Sequence, residues 1–110
     1  MKAQIFSHEL HIGTTELHLG DQSMGCVYGD FFPNDNYYKH VQKAVWEFWS
    51  KDKPDYQKWA AMQFSAQLEN GYFIYAAGGF TFDDIEELKD EPKRIDIAGI
   101  DWHVIEDFFL

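Results

Sequence analysis

Three histidines and two glutamates fall within Ser7–Gly20, "SHELHIGTTELHLG", a density that raises metal coordination or acid–base chemistry first. The residues alternate on both sides of Gly13-Thr14, which reads as a hairpin with those two residues at its turn. In that register His11 faces Glu16 and Glu9 faces His18, all on one face, while Leu10, Ile12, Leu17 and Leu19 line the other. Two imidazoles and two carboxylates are competent zinc ligands. The spacing matches no metal signature, because "HELH" is not H-E-x-x-H and lies on a strand. The expectation is two His–Glu cross-strand pairs on a solvated face. Glu9, His11, Glu16 and His18 remain the secondary candidates for a metal.

Other chemistry is thinner. A catalytic thiol needs a base and a lowered pKa, and "GCVYG" supplies neither, so Cys26 reads as a small buried hydrophobe. Asp55 in "PDYQK" with Glu87 and Lys89 in "ELK" spells the outline of a magnesium-dependent nuclease. That outline fails, because the Glu-x-Lys lies in a charge-dense loop before Pro92 and its surrounding carboxylates would repel phosphate. "GDQSMG" lacks the lysine and helix start of a phosphate cradle. No Ser-His-Asp arrangement can be assembled with any specificity.

Two features point to binding instead. Asp83–Glu91 holds six acids in nine residues: Asp83, Asp84, Glu86, Glu87, Asp90 and Glu91. It has no glycine-turned calcium loop. As a solvated loop it needs no partner; as a recognition edge it presents carboxylates, with Ile85 and Leu88 as apolar anchors. Trp46 lies outside the apolar helical stripe, among Lys39, Gln42 and Lys43. It is either an interface anchor or covered by another segment such as 55–59.

The elements that must position these residues read as follows. "MGCVYGDFF" (24–32) is a third strand, whose Gly25 and Gly29 imply close approach of a neighbour. Residues 35–50 read as one long helix, capped by Asn34 or Asp35, with Tyr37, Val41, Ala44, Val45 and Phe48 at helical spacing. Residues 55–61 are ambiguous. From Met62 the period becomes two, Asn70-Gly71 signals a hairpin, and "YFIYAA", apolar on both faces, reads as a central strand. Gly78-Gly79 breaks the chain before "FTF", "KRIDIAG" reads as a last strand, and 101–109 as a short helix capped by Asp101, with a strand as alternative. The expected fold is α+β: a mainly antiparallel sheet of six or seven short strands packed on one long helix.

The 110 residues fit a single domain, 1–110, and the aromatic share of 18% implies a ring-rich core. One cysteine excludes an internal disulfide and suits a reducing compartment. With neither a signal peptide nor a membrane-length apolar run, the expected location is the cytoplasm. The net charge is −10; residues 1–55 carry eight acids and five bases, residues 56–110 eleven acids and four bases. That balance argues against nucleic acid and favours a basic protein as partner. The sequence therefore reads as a small, acidic, non-enzymatic protein-binding domain without a cofactor, on the pattern of an immunity or inhibitor protein that neutralises a basic toxin or nuclease. Its alternative is a small-molecule- or metal-binding, even enzymatic, α+β domain with an aromatic-lined pocket.

Overall fold

The computed structural model describes residues 1–75 and 79–110. Its strands are β1 (Lys2–Ser7), β2 (Leu10–Glu16), β3 (His18–Leu19), β4 (Val27–Pro33), β5 (Phe64–Leu68), β6 (Phe73–Ile74), β7 (Gly79–Asp83) and β8 (Lys93–Ala98). All pairings are antiparallel, in the order β6-β5-β1-β2-β4-β8-β7, and β3 prolongs the line of β2 beside β4 in unbroken register. Eight segments thus fill seven positions. The helices are α1 (Asp35–His40), α2 (Gln42–Ser50), α3 (Tyr56–Ala61) and α4 (Trp102–Phe108). The α+β class and the antiparallel sheet agree with the sequence. None of the described helices is long and apolar enough to cross a membrane.

The hairpin turn does not lie at Gly13-Thr14. β2 runs straight through both residues, and the turn is His8-Glu9, joining Ser7 to Leu10. Gly13 is needed for space: a Cβ there would stand 2.6 Å from both the Phe31 ring and the Phe32 carbonyl oxygen. Glycine at a close backbone approach and glycine at a turn look alike in sequence. The register slips by one residue between Ile5 and Phe6, a bulge that leaves both Ile12 and Gly13 buried.

The single helix expected over 35–50 is two helices. Val41 adopts φ −121°, although its N–H still donates to the Tyr37 carbonyl at 2.9 Å. Its ψ of −42° stays helical, so only φ departs from the helix. In an unbroken helix Tyr37 and Gln42 would point about 140° apart; the break lets both reach one carboxylate. The third strand begins at Val27 rather than Met24, because Gln22–Met24 form a 3-10 turn closed by Gly25 at φ 62°. Gly29 does meet a close neighbour, since its Cβ would lie 2.2 Å from the Glu16 carbonyl oxygen.

Residues 55–61 resolve as helix, with the Asp55 carboxylate accepting from the Gln57 and Lys58 amides. The Asn70-Gly71 hairpin joins β5 to β6, with Gly71 alone of the two at positive φ. β6 is an edge strand, not the central one expected, and it spans two residues. Its rings lie against other rings, which a both-faces-apolar pattern does not distinguish from burial inside a sheet. The continuation expected over Ala76-Ala77, and Gly78 of the break, lie outside the described residues. β8 and α4 stand where the sequence places them, with Val104 and Ile105 buried, although Asp101 makes no side-chain capping bond.

One sheet face carries the core, including Ile5, Ile12, Val27, Ile95 and Ile97, all fully buried. Phe82 sits at the middle of a ring cluster, with centroids 5.0 Å from Phe31, 4.9 Å from Phe64 and 6.0 Å from Tyr37. Edge-on packing of this kind stabilises beyond the area it buries. The other face holds the solvent-accessible alternates, among them Glu16, Tyr28, Asp30, Arg94 and Asp83.

Candidate functional site

The histidine–glutamate set does not converge. Glu9 occupies the β1–β2 turn, and His11 and Glu16 lie five residues apart on one strand, about 17 Å. Glu16 accepts from the chain's amino terminus at 3.2 Å, and His18 lies beside the Tyr28 ring at 5.8 Å. Asn34 caps α1 through its Oδ1, which turns its Nδ2 toward His11 Nδ1 at 3.2 Å. His11 is thereby a ring acceptor in a structural contact. The expected His11–Glu16 and Glu9–His18 pairs are absent because the turn that would create them is absent. Among the described residues, no group of three or more His, Cys, Asp or Glu side chains is placed to hold a metal ion. Cys26 is half-buried, its Sγ 3.8 Å from the Met24 carbonyl oxygen.

The acidic run divides. Asp83, Glu86, Glu87, Asp90 and Glu91 are exposed, and Leu88 with them, on and beside a 3-10 turn (Glu86–Leu88). Asp84, expected on the same surface, is buried. Its carboxylate accepts from the Tyr37 hydroxyl at 2.5 Å, Trp46 Nε1 at 3.0 Å and Gln42 Nε2 at 3.2 Å, and it faces Lys93 Nζ at 3.6 Å. Lys93 also donates to the Lys89 carbonyl at 3.0 Å. Burial and the Asp84 carboxylate push the Tyr37 phenol well above its ordinary range. A buried charge is tolerated when every lone pair finds a donor, and this one has four neighbours from α1, α2 and β8. The consequence is mechanical: both ends of the acidic loop are fastened to the helices and the sheet.

Trp46 is half-buried, and its indole N–H donates to Asp84. It belongs to a series. Trp59 Nε1 donates to the Phe80 carbonyl at 2.9 Å, Trp49 Nε1 to the Phe82 carbonyl at 2.7 Å, and Trp46 to the Asp84 side chain. Two indoles thus meet backbone carbonyls at alternate positions 80 and 82 of β7, which ends the strand order, and the third meets the Asp84 side chain just past the strand. An open edge invites pairing with another chain, and these side chains occupy its carbonyls.

On the accessible sheet face Arg94 lies between Asp30 on β4 and Asp83 on β7. It forks onto Asp96 at 2.9 and 3.0 Å and covers the Tyr28 ring at 4.5 Å. The hydrogen bond to Asp96 raises its already high pKa. The protein's one arginine is thereby engaged by its own carboxylates. Five of the nine basic residues, Lys39, Lys43, Lys51, Lys53 and Lys58, lie instead on or between the helices. The accessible sheet face and the 83–91 loop are left predominantly acidic.

A groove of about 1050 Å³ opens between the β1–β2 turn, α3, β6 and the start of β7. Ring faces dominate it: Phe6, Tyr56, Trp59, Phe73, Tyr75 and Phe80. Its polar groups are His8, Glu9, Gln63 and Ser65. Sequence reasoning assigned none of these residues to a pocket, apart from Glu9 as a metal ligand. The one local signal was the exposed density of rings after Asn70-Gly71, which reads equally well as core. The groove brings the β1–β2 turn against three segments within residues 56–80. Comparison with protein-family models, with curated proteins and with solved structures finds no match for this chain.

Proposed function

We propose that this chain is a small acidic binding domain that engages a basic protein, in the manner of an immunity or inhibitor protein, and acts by occlusion rather than by catalysis. The observation that carries the reading is the segregation of charge. Asp83, Glu86, Glu87, Asp90 and Glu91 project from a loop whose two ends are clamped through Asp84 and Lys93, beside a sheet face bearing Glu16, Asp30 and Asp96. Carboxylates held in place lose less freedom on binding than those on a loose loop, and a one-signed surface accelerates encounter with an opposite one. The Glu86–Leu88 turn adds Leu88 as an exposed apolar contact.

The test begins with isolation of the partner from the native host's lysate at low salt, followed by association kinetics with the purified partner. A triple variant, Asp83→Asn with Glu86→Gln and Glu87→Gln, should associate about tenfold more slowly at low salt and with a weaker salt dependence. An unchanged rate would remove the loop from the binding surface. The aromatic groove favours a second reading, a domain whose ligand lies against ring faces.

A further inference from the structure

The groove carries an inference that deepens the basic-partner reading and rests on it. We propose that it receives a lysine or arginine side chain on an extended segment of the partner, held over the faces of Tyr56, Phe73 and Tyr75 with Glu9 as counter-charge.

Four observations converge on a cationic occupant. Tyr56 is 69% exposed and Tyr75 73%, and Phe73 and Tyr75 stack at 5.9 Å and 15°. Rings presented this way offer the negative faces that attract an ammonium or guanidinium group. Second, Glu9 lines the groove and no described lysine or arginine does. Third, the volume of about 1050 Å³ exceeds what one head group fills and suits a short run of chain. Fourth, Phe73 lies opposite Gln67 on β5, and Gln67 opposite Gln4 on β1, so this ring of the groove shares the accessible side of the sheet with Glu16 and Asp30. A partner steered onto that face has a path into the groove.

The groove's floor is also held in an unusual conformation. His8 and Gln63 are the two non-glycine residues at positive φ among those described, at 55° and 46°. They line the same groove, and the His8 N–H donates to the Gln63 carbonyl at 3.0 Å. Ser7 Oγ donates to the Met62 carbonyl at 2.7 Å alongside. Left-handed backbone at two touching positions is costly, and such outliers cluster at binding sites. Here the pair pins the β1–β2 turn, and Glu9 with it, against the end of α3.

The probes are pentapeptides Gly-Gly-Xaa-Gly-Gly with lysine, arginine or norleucine at the centre, titrated against the labelled protein by amide chemical shift. The lysine and arginine peptides should shift Glu9, Gln63 and Tyr75 saturably, and bind about three- to thirtyfold more tightly than norleucine. Glu9→Gln should remove most of that margin and Tyr75→Ala should weaken all three peptides; both side chains are exposed, so both variants should fold. Parity between norleucine and lysine would overturn the inference, as would saturable binding of free tetramethylammonium with no binding of the peptides. These readouts do not involve the 83–91 carboxylates. Parity with norleucine therefore defeats the groove even if the triple variant slows association. Selective lysine binding upholds it even if that variant does not.

Discussion

Replacing Asp84 with alanine tests the central structural claim, that this buried carboxylate fastens the acidic loop to the helices. The substitution strands the Tyr37 hydroxyl, the Trp46 indole and the Gln42 amide, and leaves the Lys93 ammonium, whose side chain is 7% exposed, without its counter-charge. Removing one partner of a buried ion pair costs about 3–5 kcal/mol, and each stranded donor about 1–3. These terms share one group and do not add; the expected loss is about 4 kcal/mol. For a domain of this length, that lowers Tm by roughly 16 °C. It is also a large part of a total stability of about 5–15 kcal/mol. Urea denaturation and thermal melts read it directly. Lys93→Met leaves the buried carboxylate without its counter-charge but with its three other donors, and should cost about 3 kcal/mol, the lower end of the range for a broken buried pair. The double variant Asp84→Leu with Lys93→Met removes both charges and should be more stable than Asp84→Ala, because no lone buried ion remains. A loss below about 1 kcal/mol for Asp84→Ala, or a double variant as unstable as the single one, would refute the clamp.

Three further outcomes are expected. Trp49→Phe and Trp59→Phe each leave a β7 carbonyl without its donor and should cost about 1–3 kcal/mol in urea denaturation; combined, they should open the β7 edge and raise the tendency to self-associate in light scattering. Gly29→Ala places a Cβ 2.2 Å from the Glu16 carbonyl oxygen, a backbone atom that must shift, and should destabilise by about 1–3 kcal/mol in thermal melts. Tyr37 has its pKa raised above 10.0 in the folded state, through burial first and then through Asp84. The unfolded chain therefore releases this proton first, so the contribution is complete below about pH 10 and declines above it. Unfolding above that pH should carry a step in tyrosinate absorbance that Tyr37→Phe diminishes, and an undiminished step in that variant would be the contrary result.

Much of the architecture is legible locally. The period-two run after Met62, the Asn70-Gly71 turn, "KRIDIAG" and the apolar spacing of 104, 105 and 108 each encode an element whose pattern is complete within ten residues. The acidity of the second half is likewise a property of composition alone. Helix over 35–40 and 42–50 is written in spacing and in the Asn34 cap, but the break at Val41 is not. It matters only because Asp84, more than forty residues away, draws Tyr37 and Gln42 to one point. The opening hairpin fails for a similar reason. Gly13 resembles a turn glycine, and only the Phe31 ring lying across it shows that the missing Cβ is a matter of space.

The candidate site follows the same division. Sequence by itself determined that the chain is acidic, ring-rich and α+β, that its carboxylates concentrate in 83–91, and that Trp46 stands off the apolar helix stripe. Tertiary structure alone decided that Asp84 is withdrawn from that run to become a buried acceptor and that Trp46 is one of its donors. It also decided that two indoles occupy carbonyls of β7, and that rings from the first strand, α3 and the β5–β6 hairpin surround one groove. Alternation and charge density are sums over neighbours in the chain. Burial of a carboxylate, closure of an edge and the lining of a groove depend on which distant donors and rings arrive, and sequence spacing carries no information about those distances.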